Sequence, residues 1–182
     1  MSGTVQSYII SGLSGSGETT AKEYAKRLGY ETVSVGDTVR QAYHDQHWSE
    51  SVGEFVQRIH EERGRAAFVQ EAITELDQRL ARHDDAPAGV VIEGIQSNTS
   101  VKAVRDRFGP TPVVWIQAPL SLRLRRCRRR DESHTSAGLL YRDLPELNSG
   151  MADLAAPLGH DYHVLNDGLH RTFKRRLAAV FE

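Results

Sequence analysis

The stretch GLSGSGET, residues 12–19, decides the fold of this chain. It fits the pattern G-x-x-x-x-G-K-[ST] at every defined position except the lysine, which is replaced by Glu18. A strand pattern precedes it, and apolar residues at helical spacing follow it at Ala21, Tyr24, Ala25 and Leu28. A glycine loop between a strand and a helix is the context that this pattern requires, so the sequence predicts a phosphate-binding P-loop. The alternative is a glycine turn that begins a helix without binding any ligand.

In a P-loop, backbone N–H groups converge on a phosphate at the positive end of a helix dipole. The hydroxyl group of the final threonine, here Thr19, is placed to hold a magnesium ion. The predicted phosphate-binding residues are Ser14, Gly15, Ser16, Gly17, Thr19 and Thr20.

The rest of the chain alternates strand-like and helix-like segments, which predicts an α/β fold. Residues 37–82 are mostly helical in pattern, and Gly64 is expected to separate two of these helices. Strands between helices favour a five-stranded parallel sheet covered on both faces, with ligands at the carboxyl ends of its strands. The five predicted strands are Tyr8–Ser11, Thr32–Val35, Gly89–Glu93, Pro112–Ala118 and Tyr162–Leu165.

Composition limits the other classes of protein. The chain has 182 residues, 39% of them hydrophobic, which suits one domain with one core. A formal charge of -1 weighs against a nucleic-acid-binding surface, and no apolar run approaches the roughly 20 residues that span a bilayer. One cysteine and a beginning without a secretory signal pattern predict a cytoplasmic protein.

Glu18 reverses the sign of the charge that a P-loop normally places against the β and γ phosphates. One unit-charge pair at 4 Å is worth roughly 4 kcal/mol at an effective dielectric constant of 20, so a change from cation to anion costs about twice that. Three hypotheses accommodate Glu18. It turns towards solvent, it meets the phosphate through a proton or a metal ion, or it acts as a general base that orients water.

With these residues in place, the chain resembles the P-loop nucleoside-monophosphate kinase superfamily, in particular small archaeal proteins related to adenylate kinase and dephospho-CoA kinase. Asp37 and Arg40 look like the family's G-D-x-x-R segment, whose arginine lies at the phosphate-acceptor site. Glu93 and Gln96 stand in a stretch similar to D-G-x-R-S, in which the acid supports magnesium and the arginine grips phosphate. The resemblance therefore implies magnesium at Thr19 and Glu93.

The same resemblance implies a single domain, residues 1–182, with an acceptor-binding helical insert at about 36–82 and a lid at about 121–150. Six of the 19 arginines lie between positions 123 and 130, and a motif similar to R-D-x-x-E-L follows them. Lid arginines close over phosphates in those enzymes. Catalytic roles are therefore expected for Arg126, Arg130 and Arg142 beside Glu18 and Glu93, and Asn166 resembles an element that borders the base.

Other groupings point less clearly to a site. The arginine run could bind nucleic acid, although it lacks interleaved aromatic residues. The histidines His160 and His163 have no third ligand at metal spacing. Tyr43, His44, His47 and Trp48 could contact a base, but packing or exposure is the simpler interpretation.

Three functions stay open on the sequence. The first is phosphoryl transfer to a nucleotide or related small phosphoester, with ATP use in doubt because of Glu18. The second is an ATP-independent nucleotide phosphohydrolase in which Glu18 or Glu93 activates water, and the third is nucleotide binding without turnover. The expected partner is a small molecule, with no nucleic acid and no membrane. The sequence does not fix the oligomeric state, and a homodimer is compatible with it.

Overall fold

The sheet of this computed structural model is built from five parallel strands in the order β2-β3-β1-β4-β5, within residues 6–45, 51–82, 85–129 and 135–182, which the structure describes. The predicted α/β fold with a five-stranded parallel sheet is confirmed. The strands are β1 Ser7–Gly12, β2 Tyr30–Ser34, β3 Gly89–Glu93, β4 Val113–Gln117 and β5 Tyr162–Leu165.

Helices connect the strands and cover both faces of the sheet. A π-helical turn at Leu147–Met151 joins two of them, and Gly150 inside it has φ +125°. The helices are α1 Glu18–Arg27, α2 Val35–Asp45, α3 Val52–Arg63, α4 Ala67–Leu80, α5 Asn98–Phe108, α6 Leu120–Arg128, α7 Ser136–Glu146, α8 Ala152–Ala155 and α9 His170–Phe181.

Two apolar clusters hold the layers together, one on each side of the sheet. Ile9 and Ile10 are neighbours on β1 and point to opposite faces, because side chains alternate along a strand. Ile9 packs in the cluster that includes α3, α4 and α5, whereas Ile10 packs in the cluster that includes α1 and α9. Both side chains are fully buried, so β1 is covered on both faces and carries the loop that follows it on a rigid support.

The sequence predictions of β3 and β5 match the structure residue for residue, whereas the predicted bounds of β1, β2 and β4 differ from the observed ones by one or two residues. The second strand was expected to end at Val35, but it ends at Ser34 and Val35 begins α2. Gly64 ends α3 with φ +87°, a conformation that suits glycine, so it separates two helices as predicted. The division into an insert at 36–82 and a lid at 121–150 stays a prediction.

Candidate functional site

The predicted P-loop lies at the carboxyl end of β1, between the ends of its two neighbours. The pairing places Ile10 beside Glu93 on β3 and Gly12 beside Ile116 on β4. Because all these strands are parallel, their carboxyl ends meet at one edge of the sheet, and α1 begins at Glu18 directly above it. The loop, the helix N-terminus and Glu93 therefore share one site.

Two glycines in the loop are required by its geometry. A Cβ at Gly17 would lie 2.4 Å from Nδ2 of Asn166, and the φ of Gly17 is +120°. A Cβ at Gly12 would lie 2.6 Å from the carbonyl oxygen of Ile116. Both positions leave no space for a larger residue, so the backbone can take the close-packed shape of a phosphate-binding loop.

The carbonyl oxygens of residues 14–16 accept hydrogen bonds from three side chains, and we call this side of the loop its outer side. Arg123 Nε donates to the carbonyl of Ser14 at 2.9 Å, and Arg126 Nη1 donates to those of Gly15 at 2.9 Å and Ser16 at 3.1 Å. Asn166 Nδ2 also donates to the Ser16 carbonyl, at 2.7 Å. The carbonyl and N–H of one peptide point in opposite directions, so fixing these carbonyls outside turns the N–H groups of Gly15 and Gly17 inward, while that of Ser16 donates to the Leu13 carbonyl at 2.9 Å.

Arg126 also donates to Oδ1 of Asn166 at 2.9 Å, which links the two supports of the loop. These contacts place Arg126 and Asn166 behind the loop, where they shape it. The catalytic role expected of Arg126 and the base-side role expected of Asn166 stay predictions.

The inner side of the loop carries the residues that suit magnesium. Thr19 Oγ1 donates to Oε1 of Glu93 at 3.4 Å, and Thr19 is exposed while Glu93 is buried at the end of β3. Magnesium in such sites takes one or two protein oxygens and fills the rest of its shell with water and phosphate. A hydroxyl and a carboxylate side by side fit that requirement, so Thr19 and Glu93 would hold the ion at its expected place.

Glu18 is half-buried and lies close to other acids. Burial raises its pKa well above the usual range of a glutamate, and the neighbouring carboxylates of Glu93 and Glu146 raise it further. Burial also raises the pKa of Glu146, with help from Asp143. The carboxyl group of Glu18 therefore stays protonated to a higher pH than an exposed one and can donate a hydrogen bond when it does.

A lysine that the motif did not predict lies beside these acids. Lys22 Nζ is 3.1 Å from Oε2 of Glu93 and 3.5 Å from Oδ2 of Asp37. Asp37 also pairs with Arg40. Burial alone would raise the pKa of Asp37, but Arg40 and Lys22 outweigh it and lower that pKa. The predicted acceptor residues Asp37 and Arg40 are thus in contact with each other and linked to Glu93 through Lys22.

A buried ion pair ties the predicted lid to the P-loop. Arg123 binds both carboxylate oxygens of Asp143 on α7, at 2.9 and 2.6 Å, while it supports Ser14. Both side chains of the pair are only 6% exposed. Such bidentate contacts fix direction as well as distance, so α7 and the loop are held as one unit.

Two further predicted residues that the structure describes, Gln96 and Arg142, are on elements that adjoin this centre. Gln96 is exposed in the loop after β3, and Arg142 is exposed on α7. Gly150 packs against the loop that contains Gln96, since a Cβ there would lie 3.4 Å from the Gln96 carbonyl oxygen. Arg130, His47 and Trp48 lie outside the described residues.

The structure brings Glu18, Thr19 and Glu93 together, and their catalytic and magnesium-binding roles stay predictions. Lys22 was not predicted as a site residue, and Glu146 was given only as part of the motif similar to R-D-x-x-E-L. Lys22 had a signal, because it follows Glu18 by one helical turn, whereas Glu146 comes near only through the packing of α7.

Two alternatives receive no support from the described part of the chain. It contains no group of three or more His, Cys, Asp or Glu side chains that could hold a metal ion. His160 binds the carbonyl of Leu154 and His163 binds Gln117. Among the same residues, no helix has the length and apolar character needed to cross a membrane.

Comparison with known proteins gives the family context of this site. The sequence pattern of the AAA domain family matches residues 9–138. A UPF0200 protein of Pyrobaculum aerophilum is 31% identical over 161 residues, which cover 87% of this chain and 86% of that protein.

Solved structures share the fold at low sequence identity. A shikimate kinase from Bacteroides thetaiotaomicron has a TM-score of 0.57 at 16% identity, with 97% of this chain and 96% of that chain covered. A gluconokinase from Sinorhizobium meliloti has a TM-score of 0.56 at 17% identity, covering 97% and 94%. At these identities the likeness concerns the fold, which is that of P-loop kinases.

Proposed function

The chain belongs to the UPF0200 and AAA domain families and carries a P-loop kinase-like nucleotide-binding domain, and from that premise we propose that it transfers a phosphoryl group to a small acceptor. The nucleoside triphosphate is the donor, magnesium is the cofactor, and the acceptor is a nucleotide or a related small phosphoester. The observation that carries this proposal is the backbone of the loop, with its carbonyls held outside by Arg123, Arg126 and Asn166. Nothing in a simple helix cap requires that support.

Each part of the site has a task under this proposal. The N–H groups of the loop bind the phosphates, and Thr19 and Glu93 hold magnesium, which neutralises phosphate charge when bound. Asp37 and Arg40 face the acceptor. Arg123 and Asp143 keep α7 against the loop, which excludes water from the transferring group.

Glu18 is compatible with phosphate binding when it is protonated. The raised pKa of its carboxyl group removes the anion that would repel a phosphate, at least up to the pH at which it ionises. A neutral Glu18 also donates one hydrogen bond to a phosphate oxygen. The repulsion that the sequence predicts is therefore relieved by a proton that the neighbouring acids help to retain.

One observation favours a second candidate, hydrolysis of a nucleoside monophosphate. A carboxyl group with a raised pKa is a better general base near neutral pH than an ordinary carboxylate, and Glu18 lies at the phosphate end of the loop. In that case Glu18 accepts a proton from water, the water oxygen attacks the single phosphate held by the loop, and the bond from phosphorus to the 5′-oxygen breaks. The proton passes to that oxygen, which leaves as the hydroxyl group of the nucleoside.

Product analysis separates the two candidates. The protein is incubated with a panel of nucleoside monophosphates, with and without ATP and magnesium, and nucleotides and inorganic phosphate are separated by chromatography. ATP-dependent formation of nucleoside diphosphate supports phosphoryl transfer. Phosphate released without ATP supports the hydrolase, and tight binding without any product leaves a binding protein.

Two substitutions of Glu18 sharpen this experiment. Glu18→Gln keeps the hydrogen-bonding shape and removes the base, so it abolishes hydrolysis but leaves transfer nearly intact. Glu18→Lys supplies the cation of an ordinary P-loop and raises the use of ATP. Hydrolysis that survives Glu18→Gln would exclude Glu18 as the base. Lys102→Ala, on an exposed ion pair of α5, is the control for general effects on the protein.

A further inference from the structure

A lysine stands one helical turn after the position where this loop has lost its own. Lys22 is on α1, four residues after Glu18, and its side chain is only 13% exposed. A glutamate followed by a lysine at this spacing commonly forms a pair along the helix surface. Among the described residues Lys22 pairs instead with Glu93 and Asp37, which belong to β3 and α2.

The geometry of a helix brings the ammonium group of Lys22 back towards the loop. Four residues rise about 6 Å along an α-helix, and side chains lean towards the helix N-terminus. The contacts agree with this direction. Lys22 Nζ is 3.1 Å from Oε2 of Glu93, and Oε1 of the same carboxylate is 3.4 Å from the hydroxyl of Thr19. The carboxylate of Glu93 therefore bridges the ammonium group of Lys22 and the first turn of α1.

Two described arginines near the loop have other tasks. The guanidinium group of Arg123 binds Asp143 and the Ser14 carbonyl, and that of Arg126 binds carbonyls on the outer side. Lys22 lies on the inner side, between the predicted magnesium residue Glu93 and the predicted acceptor residue Asp37. Its ammonium group has three N–H donors, and the two carboxylates account for two of them.

We propose that Lys22 binds the terminal phosphate of the nucleotide and replaces the lysine that the loop lacks at residue 18. This inference rests on the proposed function, because it requires a nucleotide in the loop. The positive charge comes from a residue one turn further along α1, and the aliphatic stem of Lys22 places the ammonium group at the level of Thr19. The contact depends on the number of phosphates, since a monophosphate held by the loop N–H groups does not extend to the ammonium group.

Binding of fluorescent nucleotides tests the proposal. The wild-type protein and Lys22→Met are titrated with N-methylanthraniloyl derivatives of ATP, ADP and AMP in magnesium, with the guanine series in parallel. Loss of one charge-assisted contact lowers the affinity for the triphosphate by about 10- to 100-fold. The affinity for the diphosphate falls less, and the monophosphate binds as in wild type. Lys26→Met, at an exposed lysine one helical turn further from the loop on the same helix, is the matched control and leaves all three affinities unchanged.

Two further variants separate charge from structure. Lys22→Arg keeps the cation and retains most of the triphosphate affinity. The double variant Glu18→Lys with Lys22→Met places the cation at the usual P-loop position and recovers most of the affinity lost in the single variant. Thermal melting followed by circular dichroism establishes that each variant folds. If Lys22→Met does not fold, Lys22→Gln, which removes the charge and keeps N–H donors for Glu93 and Asp37, takes its place in the comparison.

The outcomes distinguish this inference from the proposed function. If the wild-type protein binds none of the nucleotides, the proposed function is wrong, and the inference about Lys22 is wrong as well. If the wild type binds the triphosphate and Lys22→Met binds it equally well, only the inference about Lys22 is wrong. Equal weakening of the triphosphate, diphosphate and monophosphate also overturns it, because that result indicates a structural support of Glu93 and Asp37.

Discussion

The two sides of the P-loop differ in the side chains that form them, which are hydrogen-bond donors on the outer side and carboxyl groups on the inner side. The outer side is built by Arg123, Arg126 and Asn166, whose donors hold the loop carbonyls at hydrogen-bond distance. The inner side presents the carboxyl groups of Glu18 and Glu93, with that of Glu146 close enough to affect the pKa of Glu18. The shape of the loop is therefore set by side chains that do not face the ligand, while its charge is set by others.

This separation explains how one chain keeps the fold of P-loop kinases with an altered charge in the site. A backbone cradle needs glycines and fixed carbonyls, and it tolerates a change of side chain at residue 18 because that side chain is not part of the cradle. Affinity and rate, in contrast, depend on every charge near the phosphates. The likeness of fold therefore predicts where a phosphate lies better than it predicts what happens to it.

The largest expected effect comes from breaking the outer side. Asp143→Asn leaves the buried guanidinium group of Arg123 without its charged partner, which costs about 3–5 kcal/mol in the free energy of unfolding. Unfolding in urea measures it. The control is Asp106→Asn, which removes one partner of an exposed ion pair with Lys102 and costs less than about 1 kcal/mol. Equal losses in the two variants would mean that the Arg123 contact does not organise the loop.

The next effect is on the cradle itself. Gly17→Ala places a Cβ against Asn166 Nδ2 and forces a strained φ, so the loop must open. We expect the dissociation constant of magnesium-bound ATP to rise by about 100-fold, as measured by calorimetric titration. Gly64→Ala is the matched control. Gly64 also has a positive φ, +87°, but no atom lies within 4 Å of its Cβ position and it is far from the loop in sequence. A comparable loss of affinity in Gly64→Ala would assign the effect to strain alone.

The backbone of the loop could be predicted from the sequence because the residues that specify it are close together in the chain. The spacing of the glycines, the strand before them and the helix after them all lie within residues 7–28, and the strand ending at Glu93 followed from its apolar run. Backbone geometry is specified by neighbours along the chain, so a motif in a single sequence predicts it.

The charge arrangement could not be predicted in the same way. Arg123 is 20 residues from Asp143 and more than 100 from the Ser14 carbonyl that it binds. Lys22 joins α1 to the end of β3, which is distant in sequence, and to the first turn of α2. Which partner a charged residue takes depends on the packing of α7, α6 and the sheet, and no spacing in the sequence encodes it. The arginine-rich run could be assigned to a lid by resemblance, but the tasks of its members required the structure.

A smaller effect tests the charge of the inner side. Glu18→Lys changes an acid to a cation near the phosphates. One charge pair at about 8 Å is worth ~2 kcal/mol at an effective dielectric constant of 20, so the affinity for magnesium-bound ATP rises by about 30-fold. Glu23→Lys makes the same change of charge at an exposed residue of α1 and serves as the control. Equal gains in the two variants would show that only the net charge of the protein matters, and the carboxyl group of Glu18 would then have no special place in the site.

The smallest effect is a change in how stability depends on pH. Burial and then Asp143 raise the pKa of Glu146 in the folded protein, although Arg142 and Arg123 act against them. Between the ordinary carboxyl pKa and this raised one, the folded state binds more protons than the unfolded state, so the free energy of unfolding falls as the pH rises. Glu146→Gln is neutral at every pH and loses this slope, and it is expected to be more stable than wild type above the window but not below it. Urea unfolding across a pH series measures the difference, with exposed Glu23→Gln as the control. A slope that is unchanged in Glu146→Gln would mean that the inner acids do not share a desolvated site. The two sides of the loop would then not differ in their electrostatics.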